Sequence, residues 1–439
     1  MTEEAGEATV STQSFSFIKG KDDVLACNSG ESFDWDKSAA TVREQLADAM
    51  NARNISFLLG SGCSSFIKDG KQLGIPTMEP LAQEFTSSIG QGRDRYLLNA
   101  TERKILKSAL GLDLAASQYG KNLEKIMEVL HSHRVALRES ILERHKRPLA
   151  CIETAITKVQ RYVLRKCTDG AFSNADDTVR SLYETFYRKL IYRDRSLPRS
   201  WIFTTNYDLF NESAMDRIGL PYCNGFTGTV ERRFNPAVFR YALAEQLDLT
   251  SKRWSAVDGY AYLCKLHGSI TWIEDGQGLF PIREIPKPDP ESAGSLMIYP
   301  TPSKQNASLS SPYVDLFREF QSHIVREQSV LIVLGYSFGD EHLNNIIYQA
   351  LTVPTFRLIV FSTPTGTGEL AKLRNLADPR IWIVGGEGSN PGSKAHYFDT
   401  FVEKFMPEPP GDRIDTAVRH ILTDLIGRDS LGTTDPGTS

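Results

Sequence analysis

The sequence lacks the paired cysteines that build small metal modules. Its 439 residues include six cysteines, and no two of them form a C-x-x-C pair. Neither a zinc ribbon nor a disulfide framework is therefore indicated. Free thiols in a reducing cytoplasm are the simplest interpretation, so we expect a cytoplasmic protein without a metal site.

The chain also lacks long hydrophobic runs and an excess of positive charge. Its longest apolar stretches, such as the one around Val330–Leu334, are far shorter than the roughly 20 residues that span a bilayer. The first residues, MTEEAGEATVSTQS, are acidic and polar, whereas an export signal starts basic and continues apolar. The formal net charge of -4 argues against direct nucleic-acid binding. We expect neither a membrane span nor a nucleic-acid surface.

The sequence does contain an alternation of buried strands and amphipathic helices. A helix is predicted over Asp36–Arg53 and a strand over Ile55–Leu59, and later strands include SWIFTTNYD, YLCKLHGSITW and SVLIVLGYS. Apolar strands that alternate with helices are typical of a parallel sheet covered on both faces. The predicted fold class is therefore α/β, with a doubly wound parallel sheet.

The pattern changes along the chain and predicts its organisation. Residues 1–34 show little periodicity and predict a flexible arm, and residues 428–439 predict a disordered tail. Between them, 35–427 form one predicted domain. Within that domain, residues from about 91 to 195 repeat apolar positions at three- and four-residue steps, which predicts a large helical insertion or subdomain.

The first strand ends in a turn of small residues, SFLLGSGCSSF. In a doubly wound sheet, ligands bind beyond the carboxyl ends of the strands. Because the side chains of Gly60–Ser64 are small or absent, the main chain and a helix N-terminus could approach a pyrophosphate closely. The turn lacks the full G-x-G-x-x-G spacing, however, and small residues can equally serve a tight turn.

Three further polar motifs follow predicted strands: TTNYD, KLHGS and GYSFGDEH. Their placement predicts that Asn206, Asp208, His267 and Ser337 surround one crevice. Each motif has a structural alternative. Asn206 or Asp208 could cap a helix, Asp340 is expected to cap the next one, and His267 could be a buried structural histidine.

Taken in order, GSGCS, the Gly74-Ile75-Pro76 segment, TTNYD and HGS resemble the sirtuin family. The corresponding signatures there are a G-A-G-x-S loop, G-I-P-D-F-R, T-Q-N-x-D and a His-Gly pair. More narrowly, NGFTG, KLHGSITW, LMIYPTPSK and GYSFGDEHLN resemble sirtuin-like subunits of bacterial antiphage defence systems, closest to the type partnered with a HerA-family ATPase. The resemblance implies a Rossmann-like NAD-binding domain and a homo-oligomer that docks onto a hexameric ATPase.

The resemblance also implies roles for individual residues. Asn206 would face the nicotinamide ribose and orient a water molecule, with Asp208 near the carboxamide, and His267 would be the acid/base residue acting on the ribose hydroxyls. The remaining residues that the resemblance assigns to NAD+ binding are Gly60, Ser61, Gly62 and Ser64 for the phosphates, Gly335 and Ser337 for the adenosine, and the Gly385–Gly386 turn for the adenine end.

Departures from the family narrow the expected activity. The two C-x-x-C pairs of the deacetylase zinc module are missing, Thr205 stands where deacetylases have Gln, and Thr77 and Met78 replace Asp and Phe. The expectation is an NAD+ hydrolase that depletes NAD+ during phage infection and is regulated by its partner. Protein ADP-ribosyl transfer or deacylation remains an alternative. A non-catalytic sensor of NAD or ADP-ribose is another, although it would not need both Asn206 and His267.

Overall fold

The structure is a computed structural model, and it describes residues 14–26, 32–68, 70–87, 95–172, 177–194, 196–248, 253–257, 259–274, 281–286, 288, 295–297 and 311–408. The predicted tail, 428–439, lies outside the described residues. So does the first part of the predicted arm, 1–13.

The strands of the described residues are β1 (Phe15–Lys19), β2 (Asp22–Asp23), β3 (Asn54–Leu59), β4 (Ser65–Lys68), β5 (Lys71–Gly74), β6 (Trp201–Thr204), β7 (Tyr222–Cys223), β8 (Phe226–Thr227), β9 (Arg232–Phe234), β10 (Ala244–Asp248), β11 (Arg253–Ala256), β12 (Ala261–Lys265), β13 (Gly268–Glu274), β14 (Ile282–Glu284), β15 (Ser295–Met297), β16 (Ser329–Leu334), β17 (Arg357–Phe361) and β18 (Ile381–Gly386).

The α-helices in the same residues are α1 (Trp35–Met50), α2 (Met78–Thr86), α3 (Ala100–Leu110), α4 (Leu123–Arg138), α5 (Lys146–Phe172), α6 (Thr178–Ile191), α7 (Phe210–Ile218), α8 (Tyr313–Ile324), α9 (Glu341–Leu351), α10 (Glu369–Asn375) and α11 (Phe398–Thr400). Short 3-10 turns cover Ser61–Ser64, Glu143–His145 and Pro236–Arg240, and a π-turn covers Phe401–Phe405.

The described residues form a nine-stranded sheet with the order β2-β1-β18-β17-β16-β3-β6-β12-β7. Pairing is parallel from β18 through to β7. In chain order, β3, β6 and β12 follow one another towards one edge of the sheet. Strands β16, β17 and β18 then start beside β3 and follow one another towards the other edge. This is the doubly wound strand order of a Rossmann-type sheet, and its direction reverses between β3 and β16. The predicted α/β class with a Rossmann-like sheet is confirmed.

Apolar side chains from the two faces of the sheet enter two separate cores. On β3, Ile55, Phe57 and Leu59 belong to the cluster that contains α1, α6 and α7 residues, whereas Leu58 belongs to the cluster with α8 and α9. Successive side chains of a strand point to opposite faces, so a run of consecutive apolar residues is what a sheet covered on both sides requires. The sheet is therefore buried between two helical layers.

Part of the predicted flexible arm is an ordered edge of the sheet. Phe15–Lys19 pairs antiparallel with β18 from Phe15 opposite Gly386 to Lys19 opposite Trp382. Phe15 and Phe17 are buried, and Phe15 packs against Trp35 and Phe405. The expectation of a flexible arm is wrong for this segment, because FSFIK finds its partner strand at the far end of the chain.

The predicted helical insertion divides between two cores. Helices α3 and α4 and the first half of α5 form a cluster of their own together with Leu81 and Phe85 of α2. Helix α6, by contrast, buries Tyr183, Phe186 and Tyr187 against the sheet. The subdomain with a core of its own is therefore smaller than the interval from 91 to 195, since α6 belongs to a sheet layer.

The motif YLCKLHGSITW, predicted as one strand, is split in two. Strand β12 ends at Lys265 and β13 begins at Gly268, in a second sheet with the order β15-β13-β14-β9-β8. Gly268 has φ +91°, a left-handed conformation that glycine adopts without strain. His267 therefore lies in the turn that joins the two sheets.

Candidate functional site

Four neighbouring parallel strands end at the same level of the sheet. The register pairs Leu334 with Leu59, Leu59 with Thr204, and Thr204 with Lys265. The loops that follow begin at Gly335, Gly60, Thr205 and Leu266. The predicted site loops are therefore consecutive along one edge, next to the point where the strand order reverses.

The glycines of the first loop contact the neighbouring loop directly. The amide N–H of Gly60 donates to the Leu334 carbonyl at 2.9 Å, and that of Gly62 donates to the Gly335 carbonyl at 3.0 Å. A Cβ at Gly60 would lie 2.3 Å from the Gly335 oxygen. Close packing of two loops thus explains the bare backbone, where sequence reasoning expected close approach to a pyrophosphate.

The residues after Gly60 differ from the expected strand–turn–helix arrangement. Ser61–Ser64 is a single 3-10 turn that leads into the β4–β5 hairpin, so no α-helix begins there. Within the turn, Ser61 is exposed and Ser64 is buried. The assignment of Gly60, Ser61, Gly62 and Ser64 to the phosphates stays a prediction, and of their side chains only that of Ser61 is open to solvent.

Ser64 is the centre of a buried polar network. Its side chain is 2% exposed. Its Oγ donates to Asp208 Oδ2 at 2.7 Å and accepts from Asn206 Nδ2 at 3.0 Å. The Tyr183 hydroxyl lies 3.1 Å from the same Oγ, and it is the donor of this pair because the one hydroxyl hydrogen of Ser64 goes to Asp208. Burial raises the pKa of the Tyr183 phenol well above its usual value.

The network fixes the orientation of Asn206. Its Nδ2 donates both to Ser64 and to the Gly60 carbonyl, at 2.9 Å for the latter. Its Oδ1 accepts no hydrogen bond from the residues that the structure describes. Because both bonds use the amino group, the amide cannot turn over without losing them, and Oδ1 remains available as an acceptor.

Asp208 has a structural role in this arrangement. Its Oδ2 accepts from Ser64, and its Oδ1 accepts the backbone N–H of Phe210 at 3.0 Å near the start of α7. The N-cap residue of α7 is Leu209, without a side-chain cap, so Asp208 supports the helix start through the Phe210 amide and is not the cap itself. Its predicted place near the carboxamide of NAD+ stays a prediction.

His267 is 8% exposed and lies in the turn after β12. Its Nε2 is 3.1 Å from Asp340 Oδ2. Its Nδ1 forms no hydrogen bond with any described residue. The ring of Phe317, on α8, lies 6.5 Å from the imidazole, measured between ring centroids.

Lys265 is a site residue that sequence reasoning missed. It is 1% exposed, and its Nζ donates to Glu212 Oε1 at 2.9 Å, Ser269 Oγ at 3.1 Å and the backbone carbonyls of Tyr207 and Asp208. A lysine at the end of a buried strand, two residues before the histidine, was the signal that could have identified it. Through these hydrogen bonds, Lys265 links the loop that contains Asn206 to the loop that contains His267.

The buried partner of Lys265 is Glu212 on α7. Burial raises the pKa of Glu212, while the Lys265 charge and hydrogen bond oppose that rise. A buried charge without its partner is costly, so the pair also holds α7 against the end of β12.

The remaining predicted residues lie farther along the edge. Gly335 contacts the Gly60 loop, and the side chain of Ser337 is exposed. A cleft of about 350 Å³ is lined by Phe338 and Asn344 and by Glu369 and Lys372 of α10, and Ser337 is not among its lining residues. Neither Asn206 nor His267 lines this cleft. The role of the Gly385–Gly386 turn at the adenine end stays a prediction.

The described residues were also compared with the requirements of a metal site and of a membrane-spanning helix. In the part of the chain that the structure describes, no group of three or more His, Cys, Asp or Glu residues is arranged to hold a metal ion. Among the same residues, no helix combines the length and apolar composition needed to cross a membrane.

A comparison with protein-family models matches residues 200–354 to the SIR2-like domain. The matched segment contains Asn206, Asp208, His267 and Ser337 and leaves out the Gly60–Ser64 turn. It covers less than half of the chain. A comparison with curated proteins found no match.

Proposed function

We propose that the protein is an NAD+ hydrolase that releases nicotinamide and ADP-ribose. The premise is the match of residues 200–354 to the SIR2-like domain, a kind of domain that uses NAD+. One observation carries the proposal. Asn206 and His267 follow adjacent parallel strands, and each keeps one polar atom, Oδ1 and Nδ1, without a partner among the described residues.

The chemistry of the bond suits these two side chains. Cleavage between nicotinamide and ribose develops oxocarbenium-like positive charge on the sugar, as in glycoside hydrolysis. An amide oxygen can orient the attacking water, and an imidazole can accept a proton near neutral pH. Such acid/base assistance contributes about 100- to 10,000-fold to the rate.

Incubation of the purified full-length protein with NAD+, followed by chromatography of the products, tests the proposal. Nicotinamide and ADP-ribose should appear in equal amounts. His267→Ala and Asn206→Ala should each lower kcat by about 100-fold or more. Thermal unfolding should show that both variants remain folded.

Matched controls are His342→Ala and Asn375→Ala, since both side chains are exposed. These variants should keep the wild-type rate. Full turnover by both site variants would refute the assignment. Transfer of labelled ADP-ribose to protein, or removal of an acyl group from a lysine peptide, would replace the hydrolase with one of the alternative activities.

We further propose that the hydrolase acts in antiphage defence, as a homo-oligomer regulated by a HerA-type hexameric ATPase. The support is the resemblance of NGFTG, KLHGSITW, LMIYPTPSK and GYSFGDEHLN to such subunits. The α3–α5 cluster adds support, because it has its own core and builds none of the four loops at the sheet edge, which leaves its outer surface for assembly.

Co-expression with a HerA-family ATPase from the same genomic neighbourhood tests the assembly. The two proteins should copurify, and light scattering should give a mass of several subunits. The ATPase should also change the rate of nicotinamide release. Cells that carry both genes should lower phage plating efficiency, and His267→Ala should remove that protection. Failure to copurify would reject the partner, and unchanged protection by the variant would reject the role of NAD+ loss.

A further inference from the structure

We propose that Asp340 is a positioning residue for His267, holding Nε2–H as a donor so that Nδ1 is the atom that takes the proton. The inference deepens the proposed hydrolase and depends on it. Sequence reasoning assigned Asp340 only as a helix cap, and the pair joins loops that lie 73 residues apart in the chain.

The position of the Asp340 carboxylate is fixed through both oxygens. Oδ1 accepts the backbone N–H groups of His342 at 2.9 Å and Leu343 at 3.3 Å at the start of α9. Oδ2 lies 3.1 Å from His267 Nε2. The Tyr336 hydroxyl further secures the Asp340 backbone, accepting its N–H at 3.2 Å. The helix cap therefore sets which oxygen faces the imidazole.

This arrangement selects one tautomer of His267. A neutral imidazole has one donor nitrogen and one acceptor nitrogen, and the partner of one decides the other. A carboxylate oxygen only accepts, so Nε2 carries the hydrogen and Nδ1 keeps its lone pair. Nδ1 has no hydrogen bond with the described residues, so it is available to substrate.

The proton transfer then follows directly. The O–H bond of a ribose hydroxyl breaks, its electron pair stays on oxygen, and the proton forms an N–H bond at Nδ1. The resulting imidazolium keeps its Nε2–H on Asp340 Oδ2, and the negative charge of that carboxylate stabilises it. After nicotinamide has left with the electron pair of the broken C–N bond, a water molecule attacks the sugar carbon, and one proton of that water passes to the ribose oxygen and restores the hydroxyl. The proton on Nδ1 passes to solvent, which restores the neutral imidazole.

Asp340→Asn tests the positioning of His267 separately from the capping of α9. Asn caps helices about as well as Asp, and its Oδ1 would keep the amides of His342 and Leu343. Its NH₂ would then face His267 Nε2 and force that nitrogen to accept, which moves the hydrogen to Nδ1. We expect kcat for nicotinamide release to fall about 100-fold or more at saturating NAD+, with KM changed less than about threefold, because replacing the carboxylate of such a pair by an amide is costly.

The matched control is Asp34→Asn. Asp34 caps α1 by accepting the Lys37 N–H at 3.0 Å, so this variant makes the same chemical change in a helix cap at a distance from the site. It should keep the wild-type kcat, and both variants should unfold at the wild-type temperature.

Nitrogen-15 NMR of histidine-labelled protein reads the tautomer without any turnover, with the His267 signals assigned by His267→Gln. The wild type should show Nε2 protonated and Nδ1 unprotonated, and Asp340→Asn should reverse this. A wild-type Nδ1–H tautomer, or an Asp340→Asn variant with unchanged tautomer and kcat, would overturn the inference. If the wild type released no nicotinamide, alone or with the ATPase, the proposed hydrolase would fail, while the NMR result would still decide the role of Asp340.

Discussion

Gly335 and Gly60 allow two loops of the site to meet backbone against backbone. Gly335 has φ +61°, and a Cβ there would lie 2.6 Å from the Cys63 amide nitrogen. The two loops support Asn206, because the Gly60 carbonyl accepts one of its two side-chain hydrogen bonds. A change at Gly335 should therefore affect both stability and turnover.

We predict that Gly335→Ala lowers the free energy of unfolding more than Gly111→Ala does. Gly111 has a similar φ of +69°, but no atom lies within 4 Å of its ideal Cβ. Both variants carry the left-handed strain of about 1–2 kcal/mol. Gly335→Ala adds a steric cost of about 1–3 kcal/mol. Urea unfolding of both variants measures the difference.

Turnover provides the second readout for this pair. Gly111→Ala should keep the wild-type rate of nicotinamide release, since Gly111 ends α3 in the helical subdomain. Gly335→Ala should lower that rate through the displaced Gly60 loop. Equal losses of stability in the two variants would show that the loops do not pack as closely as described.

At the scale of whole elements, α8 packs on the sheet through an aromatic stack. His323 near its C-terminus lies 3.6 Å from Trp201 of β6, measured between ring centroids. Its Nδ1 is 2.8 Å from the Glu319 carbonyl. Burial lowers the pKa of His323 from 6.5 to about 4, so the folded protein holds this imidazole neutral under mildly acidic conditions.

We predict that burial of the neutral His323 imidazole on α8 makes the free energy of unfolding fall as the pH drops. Below pH 6.5 the unfolded chain takes up a proton that folded His323 binds only near its pKa of about 4. Stability is therefore lost as the pH falls through this window, by about 2 kcal/mol between pH 7 and pH 5. Urea unfolding of the wild type and of His323→Phe, which keeps a ring but cannot be protonated, measures this contribution.

The variant should lose less stability than the wild type over the same interval. It should still show some dependence, because burial also lowers the pKa of His131 and His396 to about 4. Parallel pH curves for the two proteins would show that His323 is not the group responsible.

At the scale of the whole molecule, β3 has an unusual position. It is the central one of the parallel strands in the sheet, and it is also the first of them along the chain. Strand β3 lies between β16 and β6, yet it precedes both by more than a hundred residues. The segment matched to the SIR2-like domain, 200–354, contains β6 and β16 but not β3. The match therefore covers strands on both sides of β3, while β3 itself comes from elsewhere in the chain.

We predict that a fragment of residues 196–408 does not fold on its own. Without β3, strands β6 and β16 lose their shared neighbour, and the apolar faces that β3 fills in both cores are exposed. Thermal unfolding followed by near-ultraviolet circular dichroism should show no cooperative transition for the fragment and a clear one for the full chain. A cooperative transition in the fragment would mean that residues 196–408 fold independently of β3.

Local patterns predicted the elements that form from contiguous apolar residues. The strand expected over Ile55–Leu59 is observed as Asn54–Leu59, and the helix expected over Asp36–Arg53 is observed as Trp35–Met50, capped by Asp34. Asp340 caps α9 as expected. Strand β1 was missed because its five residues are too few to show a clear alternation, and its pairing depends on β18.

The amino-acid sequence by itself determined that each polar motif follows a buried strand, because a run of consecutive apolar residues indicates a strand that is buried on both faces. Only the tertiary structure decided which strands are neighbours. That choice joined Asp340 to His267, Lys265 to the carbonyls of Tyr207 and Asp208, and Gly335 to Gly60. These contacts link distant parts of the chain or cross from one loop to the next, and local periodicity carries no information about strand order.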